Sequence, residues 1–455
     1  MSLFKNSQSI PALSCRSFCY FKPMLQTIYI RHLDDFIGKD VDLSGWVTRV
    51  RSSGKVCFIQ LRDGTGFIQV VASVSDIPEE EFNLIKHLSQ ESSVRIRGKV
   101  VSQPKSPSGI EIIASHVELV SRTENYPISP KEHGTDFLMD LRHLWIRSPR
   151  EHAILTIRHH IVQAIREYFD SRDFTLIDAP IFTPNECEGS STLFSTPYFN
   201  DTAYLSQSGQ LYMEAACAAF GRAYCFGPTF RAENSNTRRH LTEFWMVEPE
   251  VAYMDLEGDI ELAEGLVQAI AKKVLAENAQ ELKTLGRDTK ALEITASEPF
   301  ARISYTDAVK IIQDSGTTFK WGDDFGGADE TIVGKHFERP VVVYDYPAEI
   351  KPFYMKRNAE NPKVVRNMDI LAPEGFGEII GGGQREEDLA TLEASIRKQG
   401  LSPETYSWYL DIRRYGSVPH AGFGLGLERT VAWICNLPHV RETGAFPRLP
   451  HRLKP

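Results

Sequence analysis

One polar stretch inside residues 226–253, FGPTFRAENSNTRRHLTEFWMVEPEVAY, gathers the side chains best suited to holding an anion: Arg231, Arg238, Arg239 and His240, with Glu233 among them. Gly227-Pro228 and Asn234-Ser235-Asn236 are turn chemistry and the flanks are rich in β-formers, so the segment reads as two strands joined by a long charged loop. Such a hairpin can hold the arginines and the histidine over one anion while Glu233 faces a cation or a hydrogen-bond donor. Beyond the loop, Phe244, Met246 and Glu248 alternate with Trp245 and Val247. An exposed hairpin with a solvated loop has the same composition, so the stretch alone does not choose between the two readings.

A second concentration of chemistry lies at 45–62, where Arg49, Arg51, Lys55 and Arg62 occur without any acidic residue and are interleaved with Trp46 and Phe58. Alternation along strands puts basic groups and an aromatic on one face, which suits phosphate contacts and stacking of unpaired bases. Trp46 is expected in a core, and Phe58 divides evenly between core and stacking platform. The runs VDLSGWVTRV, KVCFIQLRD, GFIQVVAS, SVRIRGKVV and IEIIASHVELV, with one helix expected at 78–88, fit a five-stranded barrel of the oligonucleotide-binding (OB) type over 28–122.

The remaining elements must position these groups. Residues 123–148 read as a linker containing Pro127, Pro130 and His133-Gly134. A long amphipathic helix at 150–172 follows, with Ile154, Ile157, Ile161, Ile165 and Phe169 at helical spacing. It runs into TLIDAPIFTP, a strand interrupted by Pro180 and Pro184 and therefore an edge. An edge strand behind a long apolar helix suits a dimer surface over 150–184, although core packing explains the helix equally well.

At 455 residues the chain has room for two or three domains and a large core. Seven cysteines without C-x-x-C spacing point to a reducing compartment, taken as the cytoplasm, and away from disulfides or a zinc site. The net charge of −9 excludes indiscriminate nucleic-acid binding, so RNA contact requires a local basic surface. No apolar run approaches the roughly 18 residues of a membrane helix. Residues 1–27 read as a leader: the first 23 carry Lys5, Arg16, Lys22, five serines and no acid, as in an organellar transit peptide or a segment preceding a start at Met24.

The 150–184 helix and strand, the hairpin with FRAENSN and RHLTEFWMVEPE, and the terminal GFGLGLERTVAWICNLPHVRE resemble the three signature motifs of class II aminoacyl-tRNA synthetases. Their order and spacing, behind an OB-type domain, are similar to the aspartyl/asparaginyl/lysyl subgroup, and the resemblance spans 28–455. It implies an α+β protein whose catalytic domain, 149–455, is an antiparallel sheet flanked by helices. It also implies activation of an amino acid with ATP and transfer to the 3′ end of tRNA.

The resemblance further implies roles. Arg231 would bridge the α-phosphate and the substrate carboxylate, a task suited to its guanidinium fork. Arg429 would reach the γ-phosphate and lie over the adenine, with Phe244 beneath the ring. Arg239 and His240 would hold the pyrophosphate end, Glu233 would contact the nucleotide or the tRNA terminus, and Arg385 would lie beside the nucleotide. Asp369 and Glu378 would hold Mg2+, with the run Gly381-Gly382-Gly383 letting backbone approach the ligand. A hydroxyl-bearing residue in relatives is matched to Gly383. In the barrel, Arg49, Arg51, Phe58 and Arg62 would meet the tRNA.

For the amino acid, Glu188 and Gln210 are matched to groups that receive the α-ammonium, and Arg414 to the arginine facing the side-chain carbonyl oxygen. Aspartate-specific relatives carry a lysine where this chain has Met213. Without it aspartate would bring an under-compensated carboxylate into a closed pocket, at several kcal/mol. Glu214, or an acid near it, would accept from an amide NH2. The implied substrates are asparagine and tRNA(Asn), and the implied assembly is a homodimer. An aspartate enzyme of relaxed specificity and an asparagine-forming paralogue that binds no tRNA are the alternatives.

Overall fold

The computed structural model describes residues 28–455 apart from 107, 188–192 and 236. The chain divides into two compact units at 132/133, and each is described by itself.

In the first unit β1 (Asp40–Ser53), β2 (Val56–Arg62), β3 (Phe67–Ser73), β4 (Ser93–Ser102) and β5 (Ile110–Ser121) close into a barrel in the order β1-β2-β3-β5-β4. Strict alternation drives closure: Val41, Leu43 and Val47 point inward from β1 while their neighbours face solvent. The expected helix is present at Glu79–Lys86, with Phe82 and Ile85 buried against the barrel.

The segment expected as a linker is folded in its second half, with helices at Thr135–Asp140 and Arg142–Trp145. Arg142 explains why. It is buried, donates to the carbonyls of Glu442, Gly444 and Ala445, and pairs with the buried Glu151 at 2.6 Å. This segment is part of the second unit.

In that unit the long helix spans Pro149–Asp170, started by Ser148, whose hydroxyl accepts from the Glu151 amide, and by proline at its first turn. Its apolar stripe, Ile154, Ile157, Ile161, Ile165 and Phe169, is fully buried in the main core of this same chain. The stripe is therefore used in the core of this chain. The expected strand is only two short pieces, β6 (Thr175–Leu176) and β7 (Phe182–Thr183), with Pro180 between them and Pro184 directly after the second. β7, β9 (Asp201–Leu205) and β8 (Ser195–Tyr198) form a small sheet whose Phe182 and Tyr198 are exposed, with ring centroids 5.8 Å apart.

The main sheet has eight strands in the order β12-β13-β14-β15-β16-β11-β10-β6. These are β10 (Arg222–Phe230), β11 (Glu243–Ala252), β12 (Ala301–Ser304), β13 (Val341–Tyr344), β14 (Asn367–Ala372), β15 (Gly377–Gln384) and β16 (His420–Gly426), with β6 at the edge. The centre, β13 to β10, is antiparallel, and the outermost pair at each edge is parallel. Helices Pro149–Asp170, Leu256–Glu277 and Leu427–Cys435 bury their apolar faces in the core under the sheet. Glycine lets the central strands approach. A Cβ on Gly382 would lie 2.4 Å from the Phe423 Cβ. Glu428, at the start of the last helix, accepts from the Trp245 amide of β11 at 2.9 Å and pairs with Arg158 of the long helix at 2.8 Å.

Candidate active site

The charged hairpin is β10 and β11, paired from Arg222 with Val251 to Phe230 with Glu243. Phe244, Met246, Glu248 and Glu250 occupy alternate positions of β11, so they leave one face at intervals of about 7 Å. Opposite Met246 and Glu250 on β16 stand Gly426, open above the strand, and Gly422, whose missing side chain makes room for the Glu250 carboxylate. Two cavities lie along this row. The wider, about 540 Å³, is lined by Ser208, Gln210, Glu248, Lys351, Asp369 and Arg385 among others. The narrower, about 90 Å³, is lined by Glu233, His240, Phe244 and Arg429. Arg231, Met246, Glu378 and Gly424 line both, so Arg231 stands at the seam.

The narrow cavity has an aromatic floor and cationic walls. The Arg231 guanidinium lies 5.4 Å from the Phe244 ring centroid. Arg429, in the first turn of the helix after β16, donates Nη1 to the carbonyl and to Oε2 of Glu378, both at 3.1 Å. Burial, then the charge of Arg429, holds His240 below the usual imidazole range, so at neutral pH it is an uncharged hydrogen-bonding group 3.9 Å from Glu233. Arg239 lines the same cavity, but its guanidinium is spent on the Gly327 and Gly375 carbonyls, Thr331 Oγ1 and Glu330. It braces the loop against helix Gly327–Lys335, so the expectation that it grips pyrophosphate is corrected: both terminal nitrogens are taken by protein.

Between the two cavities the acidic pair converges. A Cβ on Gly381 would lie 3.0 Å from Glu378 Oε1 and 3.3 Å from Asp369 Oδ1. The glycine under the carboxylates is thus Gly381. At Gly383, where the hydroxyl-bearing residue of relatives was matched, a Cβ would lie 2.5 Å from the Arg366 carbonyl and 2.6 Å from the Asn367 Cα, against the backbone at the start of β14. Burial would raise Glu378, yet Arg429, Lys351 and Arg231 hold it below the ordinary carboxylate range. Burial and the neighbouring Glu378 push Asp369 up, against the pull of Lys351, whose Nζ is 2.9 Å from Oδ2. Glu330, half-buried and beside Glu378, is pushed up to about 7 by its shielding from water and by that neighbouring charge. Two hard oxygen donors over a bare glycine fit Mg2+, which takes one or two carboxylates and fills its shell with phosphate oxygens and water. Among the described residues no group of three or more His, Cys, Asp or Glu side chains is placed to hold a metal.

At the far end of the wide cavity the structure redistributes the expected roles. Gln210 lines the wall and donates its amide nitrogen to Glu214 at 3.0 Å, which leaves its carbonyl oxygen for the cavity. Glu214 is fully buried beneath it, bonded by Tyr409, His420 and Arg413, the last at 2.5 Å. It supports Gln210 and does not line the cavity. Met213 packs against Ala223 and Cys225 and likewise does not line it. Arg414 points to the surface, paired with Asp411 and near Glu393, so it does not face a substrate in the cavity. The arginine lining this end of the cavity is Arg385, expected beside the nucleotide. It is buried, held by Glu250 through Nε (3.0 Å) and Nη2 (3.0 Å), with Nη1 3.8 Å from Met355 Sδ. Glu188 lies outside the described residues.

In the barrel, Arg49, Arg51 and Phe58 line a groove of about 190 Å³ with Gln60, Phe67 and Gln69. Arg62 does not join them. It is buried, paired with Glu91 at 2.8 Å, and stacked on Trp46 at 5.0 Å, so it is a structural cation and not an RNA contact. Trp46, expected in the core, is 40% exposed as the outer layer of that stack.

Several site residues were missed. Glu250 had a signal: it continues the period-two row of Phe244, Met246 and Glu248. Lys351, Tyr346 and Tyr354 also line the wide cavity, from an irregular segment without periodicity, and carried none.

Comparison with known proteins identifies the family. The family described as tRNA synthetases class II (D, K and N) matches residues 134–450, and the OB-fold nucleic acid binding domain matches 41–120. Asparagine–tRNA ligase of Sorangium cellulosum is 56% identical over 93% of this chain and 98% of its own length. That of Desulforamulus reducens is 53% identical over 95% and 100%. The crystal structure of asparaginyl-tRNA synthetase from Pyrococcus horikoshii with asparaginyl-adenylate superposes with a TM-score of 0.92 at 42% identity, over 95% of this chain and 100% of that one. With its motifs, fold and site in place, the chain belongs to the asparagine–tRNA ligases of the class II synthetase family.

Proposed function

We propose that the chain activates asparagine with ATP, forming asparaginyl-adenylate and pyrophosphate, and transfers the asparaginyl group to the 3′ end of tRNA(Asn). The observation that carries this reading is the seam: Arg231 lines both the aromatic, cationic cavity and the wide cavity that ends at Gln210 and Arg385.

Attack of an α-carboxylate on the α-phosphorus brings two anions together, and no protein nucleophile is required. The site supplies position and fixed charge. Phe244 and Arg429 sandwich the adenine, and Arg231 meets both the α-phosphate and the attacking carboxylate. His240 offers a neutral hydrogen bond to the departing pyrophosphate. Mg2+ held by Asp369 and Glu378 would supply further charge to the phosphates. The carbonyl oxygen of Gln210 accepts from the α-ammonium.

Selectivity follows from the far wall. Asparagine offers one acceptor and one donor group. Nη1 of Arg385 meets the carbonyl, and Glu248 accepts from the NH2. Aspartate would put a carboxylate beside Glu248 and Glu250, an under-paired buried charge costing several kcal/mol. Pyrophosphate exchange with each amino acid in turn tests this: asparagine should exceed aspartate by about a hundredfold or more, and parity or reversal would overturn it.

The groove of Arg49, Arg51 and Phe58 supports anticodon contact by the barrel. The exposed Phe182 and Tyr198 support a homodimer through the small sheet, checked by sedimentation of wild type against Phe182→Glu. All five described cysteines are buried, which suits the reducing cytoplasm. No helix among the described residues is long and apolar enough to cross a membrane.

A further inference from the structure

We propose that Lys351 is a tethered cation that occupies Asp369 until nucleotide arrives, so that metal and ATP enter the site together. The inference rests on the reading of Asp369 and Glu378 as the metal-holding pair.

The observations are geometric. Lys351 Nζ is 2.9 Å from Asp369 Oδ2 and 4.0 Å from the Tyr346 ring centroid. Ammonium and carboxylate are both largely shielded from water, with side chains 16% and 14% exposed. The other oxygen of the same carboxylate, Oδ1, faces the space above Gly381 that Glu378 also faces. A divalent ion settling there would share one small, dry carboxylate with an ammonium, and the repulsion between the two cations is poorly screened in such a place. In the absence of nucleotide, Arg231, Arg429 and Lys351 already balance the acids of this region, so a further cation has little to gain. ATP changes the balance by adding several negative charges between the cavities.

Lysine suits such a role. Its ammonium is a point charge on a flexible four-carbon stem and can leave a carboxylate for a phosphate oxygen without moving the backbone. The backbone at this position is pinned: the Lys351 carbonyl accepts from Gln399 Nε2 at 3.2 Å, and the Ile350 amide donates to the Pro347 carbonyl at 3.3 Å. Only the side chain is free to exchange partners. When it does, Asp369 gains a lone pair for the metal and the phosphates gain a cation. A merely structural ion pair, fastening the 345–366 segment to β14, predicts no such linkage.

Titration of Mn2+ into the nucleotide-free and ATP-bound full-length chain, followed by the paramagnetic resonance of free Mn2+, separates the two. Lys351→Met should tighten Mn2+ binding without nucleotide about tenfold or more and shrink the enhancement that ATP produces. Lys351→Arg keeps the cation beside Asp369, so its nucleotide-free Mn2+ binding should stay as weak as in wild type. Unchanged nucleotide-free binding in Lys351→Met, or equal tightening in Lys351→Arg, would overturn the role of Lys351. Lys351→Gln gives the same readout should the methionine variant not fold. Adding Asp369→Asn to Lys351→Met must remove the gained binding. If the gain survives, the acidic pair is not the metal site. If no gain appears and Asp369 is still required for Mn2+ binding with ATP, only the tether fails.

Discussion

Arg413 and Arg414 are neighbours in sequence but lie about 100° apart around helix Ser407–Arg414. That rotation buries one against Glu214 and turns the other to solvent. Residue type and motif position alone do not encode it. Arg414→Ala should therefore leave asparagine-dependent pyrophosphate exchange within about threefold of wild type, as expected for an exposed pair. Arg385→Lys breaks the two-point contact with Glu250 and withdraws the donor from the cavity. It should lower kcat/KM for asparagine by about a hundredfold while the KM for ATP moves little, since such buried charge contacts carry a few kcal/mol. Arg429→Ala should reduce adenylate formation by about two to three decades with the fold intact by circular dichroism. Near-normal exchange would remove Arg429 from the nucleotide site.

At the scale of elements, what the sequence displayed depended on periodicity. The Pro149–Asp170 helix and the barrel strands repeat their apolar positions, and the β10–β11 hairpin announces its turn residues. All three were legible. The Pro180 strand was overextended because two prolines remove ladder donors and leave only paired dipeptides. The segment bearing Lys351 and Tyr354 has no repeat to read, and its place in the site is set by contacts with β14 and β15. One short element carries a testable pH dependence. His439 caps the turn Val440–Glu442, its Nδ1 accepting from the Arg441 amide at 3.1 Å, and burial followed by the charge of Arg441 lowers it to about 4. The unfolded chain binds that proton nearer pH 6.5. The stabilisation is thus complete above about 6.5 and is lost as pH falls toward 4. After allowance for the partial exposure of the ring, the loss is about 1–2 kcal/mol. His439→Asn, which keeps an acceptor at the cap, should flatten this part of the profile in urea midpoints measured at pH 7.5 and 5.

On the scale of the whole molecule, a net charge of −9 coexists with a barrel groove flanked by Arg49 and Arg51. On the proposed anticodon role of the barrel, attraction for RNA is local, and its loss should be separable from chemistry in the other unit. Arg51→Ala or Phe58→Ala should weaken tRNA charging by about tenfold, in line with one phosphate or stacking contact, and spare exchange without tRNA. Arg62→Ala, by contrast, removes the buried ion pair with Glu91 and should show first as lost stability of the barrel in thermal melts.

Glu428 gives the long helix a stake in nucleotide affinity. One carboxylate binds Arg158 from that helix, the Trp245 amide from β11 and, being the residue before Arg429, the wall of the ATP cavity. The three parts are thereby kept in register by a single three-way clasp. Arg158→Ala should slacken it and raise the KM for ATP several-fold while that for asparagine stays put. The grip on ATP would then depend on how firmly a distant helix is seated, and anything that loosens that seat would act as an ATP antagonist without ever entering the site.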